Sequence, residues 1–204
     1  MNRRLLLTSM AAIAASPVLA QTNAAQTPAS NAPNQGNNSP NQPQGRLSQE
    51  QLTHIKDTLT WGSLSLMLSR IAKPKVSLPA LKQFVDFEIA EQQTVADVLQ
   101  AIQTHAAPNG SVPVPSDDQV MQNVDETGKK AIQTLRAARE GRDFDMEYIR
   151  LEIEGHQKLL SFQEAYLKAP DNLDETNFAK MASAVIHMHI TMLDDMRSGR
   201  QAAR

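Results

Sequence analysis

From Arg46 to Met196 the apolar residues return every three or four positions, and no segment shows the alternation that a half-buried strand needs. A chain written in that one period buries its apolar surface only by laying helices side by side. Ser48, with Glu50 and Gln51 in the first turn, predicts a helix to about Ala72. Lys73-Pro74-Lys75 closes it, because proline disfavours helix at the residue before it. Ser77 reads as the cap of a second helix, with Pro79 in its first turn, lasting to about His105. After an irregular connection holding Pro108-Asn109-Gly110, Pro113 and Pro115, Ser116 opens a third helix. Its stripe is Val120, Val124, Ala131, Leu135 and Ala138, and it stops at Gly141. Asp143 opens a fourth helix to about Ala169. Asp174 opens a fifth, striped by Phe178, Met181, Val185, Met188, His189, Met192 and Met196. Five helices with short connections predict an all-α antiparallel bundle.

Two of these stripes are interrupted by polar pairs. Along the second helix the inward positions run Leu81, Phe84, Val85, then Glu88 and Gln92, then Val95, Val98, Leu99 and Ile102. Along the fourth they run Phe144, Tyr148, Ile149, then Glu152 and His156, then Leu159 and Leu160. Residues four apart share a helix face, so each pair lies in the middle of a buried stripe. A carboxylate there is costly unless it is paired, protonated or bound to a metal. The two sets also match at one offset of 64 residues (84 to 148, 88 to 152, 92 to 156), as in a weakly duplicated helical hairpin. Packed with pseudo-symmetry, the pairs would face each other, and His189 would join them from the fifth helix.

Two readings follow. A bundle interior with Glu and His is how carboxylate metal sites are built, although here the spacing is Glu-x-x-x-Gln and Glu-x-x-x-His rather than Glu-x-x-His. Glu88, Glu152, His156 and His189 would suit one transition-metal ion, with Glu91, Gln92 and His187 in reserve. The other reading is a buried hydrogen-bonded network that fixes helix register and needs no ligand: Glu152 to His189 or His156, Glu88 to Gln92 or Tyr148. His54 and His105 stand near helix ends and are expected to be solvated, and Trp61 to plug the core or its edge. There is no Gly-rich phosphate loop, no Gly-x-Ser-x-Gly elbow and no nucleophile with a base at motif spacing.

The N-terminal part is different in kind. Arg3 and Arg4, the apolar run from Leu5 to Ala15 and the small residues of Val18-Leu19-Ala20 read as an export signal over residues 1–20. The run is too short for a permanent membrane anchor. Residues 21–46 carry no charge before Arg46 and are rich in Asn, Gln and Pro, a composition that cannot offset its chain entropy by burial and reads as a disordered linker. The bundle then occupies 47–198, with a frayed tail at 199–204. The chain has no cysteine, so in an oxidising periplasm or cell envelope it is held by packing alone. With 20 basic and 22 acidic residues no basic excess points to nucleic acid. No partner protein can be named from these features.

The segments Leu81-Lys82-Gln83-Phe84, Phe144-Asp145-Met146-Glu147-Tyr148, Gly155-His156-Gln157 and Ile186-His187-Met188-His189 resemble the bacterial domain-of-unknown-function family 4142, over roughly Thr58 to Met196. The resemblance implies a ferritin-like bundle exported to the cell envelope, with no established activity. It also implies an Asp-His pair where this chain has Glu91-Gln92, and a glutamate where it has Ser65, while His156 and His189 are kept. The expected role is therefore a non-catalytic envelope module concerned with stress or interaction, with a metal-binding or redox bundle as the alternative.

Overall fold

The computed structural model describes residues 46–107 and 109–199. The expected signal, the linker up to residue 45 and the tail beyond Gly199 lie outside them. The described residues form six helices and no strand: α1 (Gln49–Ala72), α2 (Pro79–Thr104), α3 (Asp117–Met121), α4 (Glu126–Ala137), α5 (Arg142–Tyr166) and α6 (Leu173–Arg197). α1 is the central element. Every residue from Gly62 to Ser69 is buried, which happens only when a helix is covered on all sides. It packs on α2, α5, α3 and α4, and α5 packs in turn on α6. The core around it is Leu66, Leu68, Leu81, Phe84, Leu135, Phe144, Tyr148 and Ile149, all fully or almost fully buried. No helix among the described residues is long and apolar enough to cross a membrane.

Local chemistry sets most boundaries. Ser48 and Gln51 form a reciprocal capping box at the start of α1, as the sequence predicts. The expected third helix is two helices. Ser116 and Gln119 cap α3, which ends at Met121, and an extended Asp125 then starts α4 by accepting from the Gly128 N–H at 2.7 Å. Gly141 precedes α5 with φ +89°, a left-handed conformation that glycine takes without a Cβ clash. α6 is capped by Asn172, two residues before the expected Asp174.

The inward face of α6 also differs from its methionine stripe. Glu175, Ala179, Ile186, His189, Leu193 and Met196 are buried, whereas Met181 is 68% and Met188 52% exposed. The helical period through His189 selects Ile186 and Leu193; hydrophobicity alone selects the methionines, and the period wins.

Ser77 does not cap α2. The N-cap is Leu78, whose side chain has no capping group, and the acceptor comes from another helix. Asp145 on α5, completely buried, accepts from the Ser77 N–H at 2.9 Å, the Leu78 N–H at 3.2 Å and the Ser77 hydroxyl. One carboxylate thus satisfies amides at the start of α2 and fastens α2 to α5. Asp145→Ala is expected to destabilise the fold by about 1–2 kcal/mol, because amides at the start of α2 lose a charged acceptor. Asp145→Asn, which retains a carbonyl oxygen, is expected to lose less. Urea unfolding followed by circular dichroism measures both, and an Asp145→Ala midpoint equal to wild type would refute the cap.

Candidate metal centre

The sequence places Glu88 and Gln92 on the inward face of α2, Glu152 and His156 on that of α5, and His189 on that of α6. All five are buried. They converge because α1 presents small polar residues, Ser65 and Ser69, where a larger side chain would hold the neighbouring helices apart. Ser65 Oγ lies 2.6 Å from Glu88 Oε1 and 2.6 Å from Glu152 Oε2. A hydroxyl has one hydrogen to donate. The second short contact therefore needs a proton on a carboxyl, and Glu152 is the group that holds it. Glu152 is pushed well above the usual carboxylate range, first by burial and then by the nearby charge of Glu88. Burial alone would raise Glu88 as well, but His156 and then His189 outweigh it and hold that carboxyl well below its ordinary value. The result is a neutral acid and an ionised carboxylate on the two sides of one hydroxyl.

Gln92 completes the Glu88 side, its Nε2 donating to Glu88 Oε1 at 2.9 Å. On the Glu152 side, Ser69 Oγ lies 3.4 Å from Glu152 Oε1 and 2.7 Å from the Tyr148 hydroxyl. Burial and then the Glu152 carboxyl push Tyr148 well above its ordinary value, so it stays a neutral phenol.

The histidines are oriented from behind. His156 Nδ1 donates to the Glu152 backbone carbonyl at 2.8 Å, which turns Nε2 inward. His189 Nε2 lies 3.3 Å from Glu91 Oε2, which turns Nδ1 inward. The two inward nitrogens are 3.1 Å apart, and Glu88 Oε2 is 3.0 Å from His189 Nδ1 and 3.4 Å from His156 Nε2. These atoms form a compact triangle. Two imidazole lone pairs cannot face each other at that distance without a proton or a cation between them. Burial alone would depress His156, but the Glu88 carboxylate and then Glu152 overcome it and raise the ring to about 9. Glu88 Oε2, fully buried, nevertheless has no aligned hydrogen-bond donor.

Of the residues singled out in the sequence, Glu88, His156 and His189 supply the triangle. Glu152 stands beside it: its backbone carbonyl accepts from His156 Nδ1, and its carboxyl bonds the serines and lies 3.5 Å from the same nitrogen. Glu91, part-exposed, backs His189, and Gln92 backs Glu88. His187 is exposed and lies outside the cluster. Of the expected polar pairings, Glu88 with Gln92 and Glu152 with His156 form, whereas Glu152 with His189 and Glu88 with Tyr148 give way to the serine bridges.

His54 departs most from expectation: it is buried, not solvated. Its Nδ1 lies 2.6 Å from Glu175 Oε1, and its Nε2 donates to Gln163 Oε1 at 2.8 Å. Gln163 in turn donates to Thr58 at 2.9 Å, and the His54 ring stacks on Tyr166. His105 is exposed as expected, and Trp61 is half-buried against the core.

The ionisation pattern fixes a pH dependence for the metal-free protein. Glu152 and His156 bind protons more tightly folded than unfolded, so their contribution is complete in acid and is lost as pH rises, for His156 between 6.5 and about 9. Glu88 works the other way, and its contribution is lost as pH falls below the ordinary carboxylate range. In chelator, stability is expected to peak in mild acid and to fall by about 2–4 kcal/mol on going to pH 9. Glu152→Gln, which keeps the shape and cannot ionise, is expected to flatten that decline. Denaturant midpoints at a series of pH values provide the check, and a wild-type profile level from pH 5 to 9 would contradict the assignment.

No curated protein and no solved structure matches this chain. One family model does, over residues 36–196, a span that includes all six helices up to Met196 and every residue of the centre. The chain belongs to the domain-of-unknown-function family DUF4142.

Proposed function

We propose that this chain is an exported cell-envelope protein whose ferritin-like helical bundle holds one divalent transition-metal ion on Glu88, His156 and His189. The observation that carries the metal reading is the triangle of inward donors with edges of 3.0, 3.1 and 3.4 Å, with an unsatisfied carboxylate oxygen at one corner. Nitrogen and oxygen donors about 2.1 Å from a common ion stand about 3.0 Å apart at right angles and about 3.4 Å apart at the tetrahedral angle. The donor set therefore fits a cation. Its support fits too: histidine ligands commonly donate their other N–H to a carbonyl or carboxylate, here the Glu152 carbonyl and Glu91. Two imidazoles and one carboxylate suit zinc or ferrous iron, and such an ion would supply Lewis acidity or one-electron chemistry. The residues themselves hold the rings in one tautomer, keep Glu88 ionised and exclude water. Export rests on the signal-like residues 1–20.

The second reading, a non-catalytic envelope module with a structural network, is favoured by one observation. His156, raised to about 9, leaves a proton in the triangle at neutral pH, which ties Glu88 to the histidines without any ion.

Titrating the chelated protein with Zn²⁺ separates the two. The metal reading expects saturation at one ion per chain and, with free zinc at about 100 times Kd, a gain of about 2.7 kcal/mol in stability. Glu88→Gln and His156→Ala are expected to abolish this gain, and Glu152→Gln to keep it. Sub-stoichiometric binding with no change in melting temperature leaves the structural network as the function of the cluster. For export, the N-terminus of the protein recovered from cells is expected at Gln21, and an intact Met1 would count against it.

A further inference from the structure

A cleft of about 340 Å³ opens beside the buried centre, between α2 and the α3 segment, with α1 as its floor. That volume lies within the range of small-molecule sites. Charged residues make up 21% of the chain, yet none lines this cleft. Its polar wall is made of carboxamides instead: Gln92, Gln100 and Gln103 on α2, opposite Gln119, Gln122 and Asn123 in and just after α3. Leu66, Val95 and Val120 add apolar surface.

Gln92 is the telling member. Its Nε2 is committed to Glu88, while its Oε1 is buried and has no donor. Space for that oxygen exists because residue 62 is glycine: a Cβ there would lie 2.5 Å from Gln92 Oε1. A buried acceptor left without a donor costs free energy, which a ligand hydroxyl recovers when the Gln92 side chain turns that oxygen into the cleft. Gln100, Gln103 and Gln122 each offer a donor pair beside an acceptor, the complement of hydroxyls that both give and take. The absence of charge disfavours ions, since nothing in the lining compensates their desolvation.

We propose that this cleft binds a neutral polyol of mono- or disaccharide size, with one hydroxyl donating to Gln92 Oε1. The site does not depend on a metal in the neighbouring centre, although Gln92 joins the two through Glu88.

The test is ligand-observed NMR and calorimetric titration of the full chain with glucose, maltose and trehalose, alongside glucuronate, glucosamine and a blocked, uncharged dipeptide amide. Saturable binding of at least one neutral sugar is expected, at least tenfold tighter than glucuronate or glucosamine. Gln100→Ala with Gln122→Ala alters two exposed side chains of the cleft. It is expected to weaken binding at least fivefold with the melting temperature unchanged. Gly62→Ala, which displaces the Gln92 amide, is expected to abolish binding. Failure of all three sugars to bind, equal binding of neutral and charged sugars, preference for the dipeptide amide, or unchanged affinity in the double variant would each overturn the proposal.

Discussion

One hydroxyl hydrogen organises this protein. Ser65 Oγ sits 2.6 Å from a carboxylate of α2 and 2.6 Å from a carboxyl of α5, and can donate to only one of them. The shortage requires unequal protonation of the two glutamates, and the histidines beside Glu88 decide which of them is ionised. Glu152 becomes a buried neutral acid beside a neutral phenol. Glu88 remains charged, with Ser65 and Gln92 bound to one oxygen and the other turned toward the imidazoles. The same arrangement accounts for α1 being covered on all sides. A serine at 65 lets two acidic helices approach the central one, whereas a longer side chain there would separate them.

The structural and metal readings are less opposed than they look. A network that fixes helix register must have every polar atom directed, and a metal site must have its donors held before the ion arrives. Here the Glu152 carbonyl and the Glu91 carboxylate direct the two imidazoles, and their action is the same whichever positive species lies in the triangle. A proton on His156 and a divalent cation compete for the same lone pairs. On the proposed metal reading, occupancy is a matter of pH and metal supply, with the scaffold unchanged.

Much of this was legible in the sequence, and what was hidden had specific causes. Helical period alone exposed the bundle and the inward stripes of α2 and α5, because those stripes are unbroken enough for four polar residues to stand out against them. α6 departs from the sequence reading where Met181 and Met188, apolar yet exposed, outweigh the period through Ile186, His189 and Leu193. The break between α3 and α4 was lost because Asp125 caps a helix inside a continuous apolar stripe. Ser65 enters the sequence reading only as the place of an implied glutamate, and Ser69 not at all, since serine is common in a helix; their spacing of four, level with the polar pairs, is the available signal. The Asp145 cap and the His54–Glu175 pair join residues far apart in the chain, and no local pattern encodes such a pairing.

The duplicated spacing finally limits what the centre can hold. Phe84, Glu88 and Gln92 do match Tyr148, Glu152 and His156 in burial as well as in sequence, and the two sets meet on opposite sides of the α1 serines. A symmetric pair of sites would need a second cation between Glu88 and Glu152. That position is taken by Ser65 Oγ and by the proton that Glu152 contributes. Gln92, the counterpart of His156, spends its amide nitrogen on Glu88 and presents no nitrogen lone pair. The pseudo-symmetry therefore breaks toward α6, where His189 replaces the missing partner. With one ionised carboxylate and two imidazoles in the triangle, and Glu91 behind it, the charge balances a single divalent ion. A second would face a protonated acid and an amide.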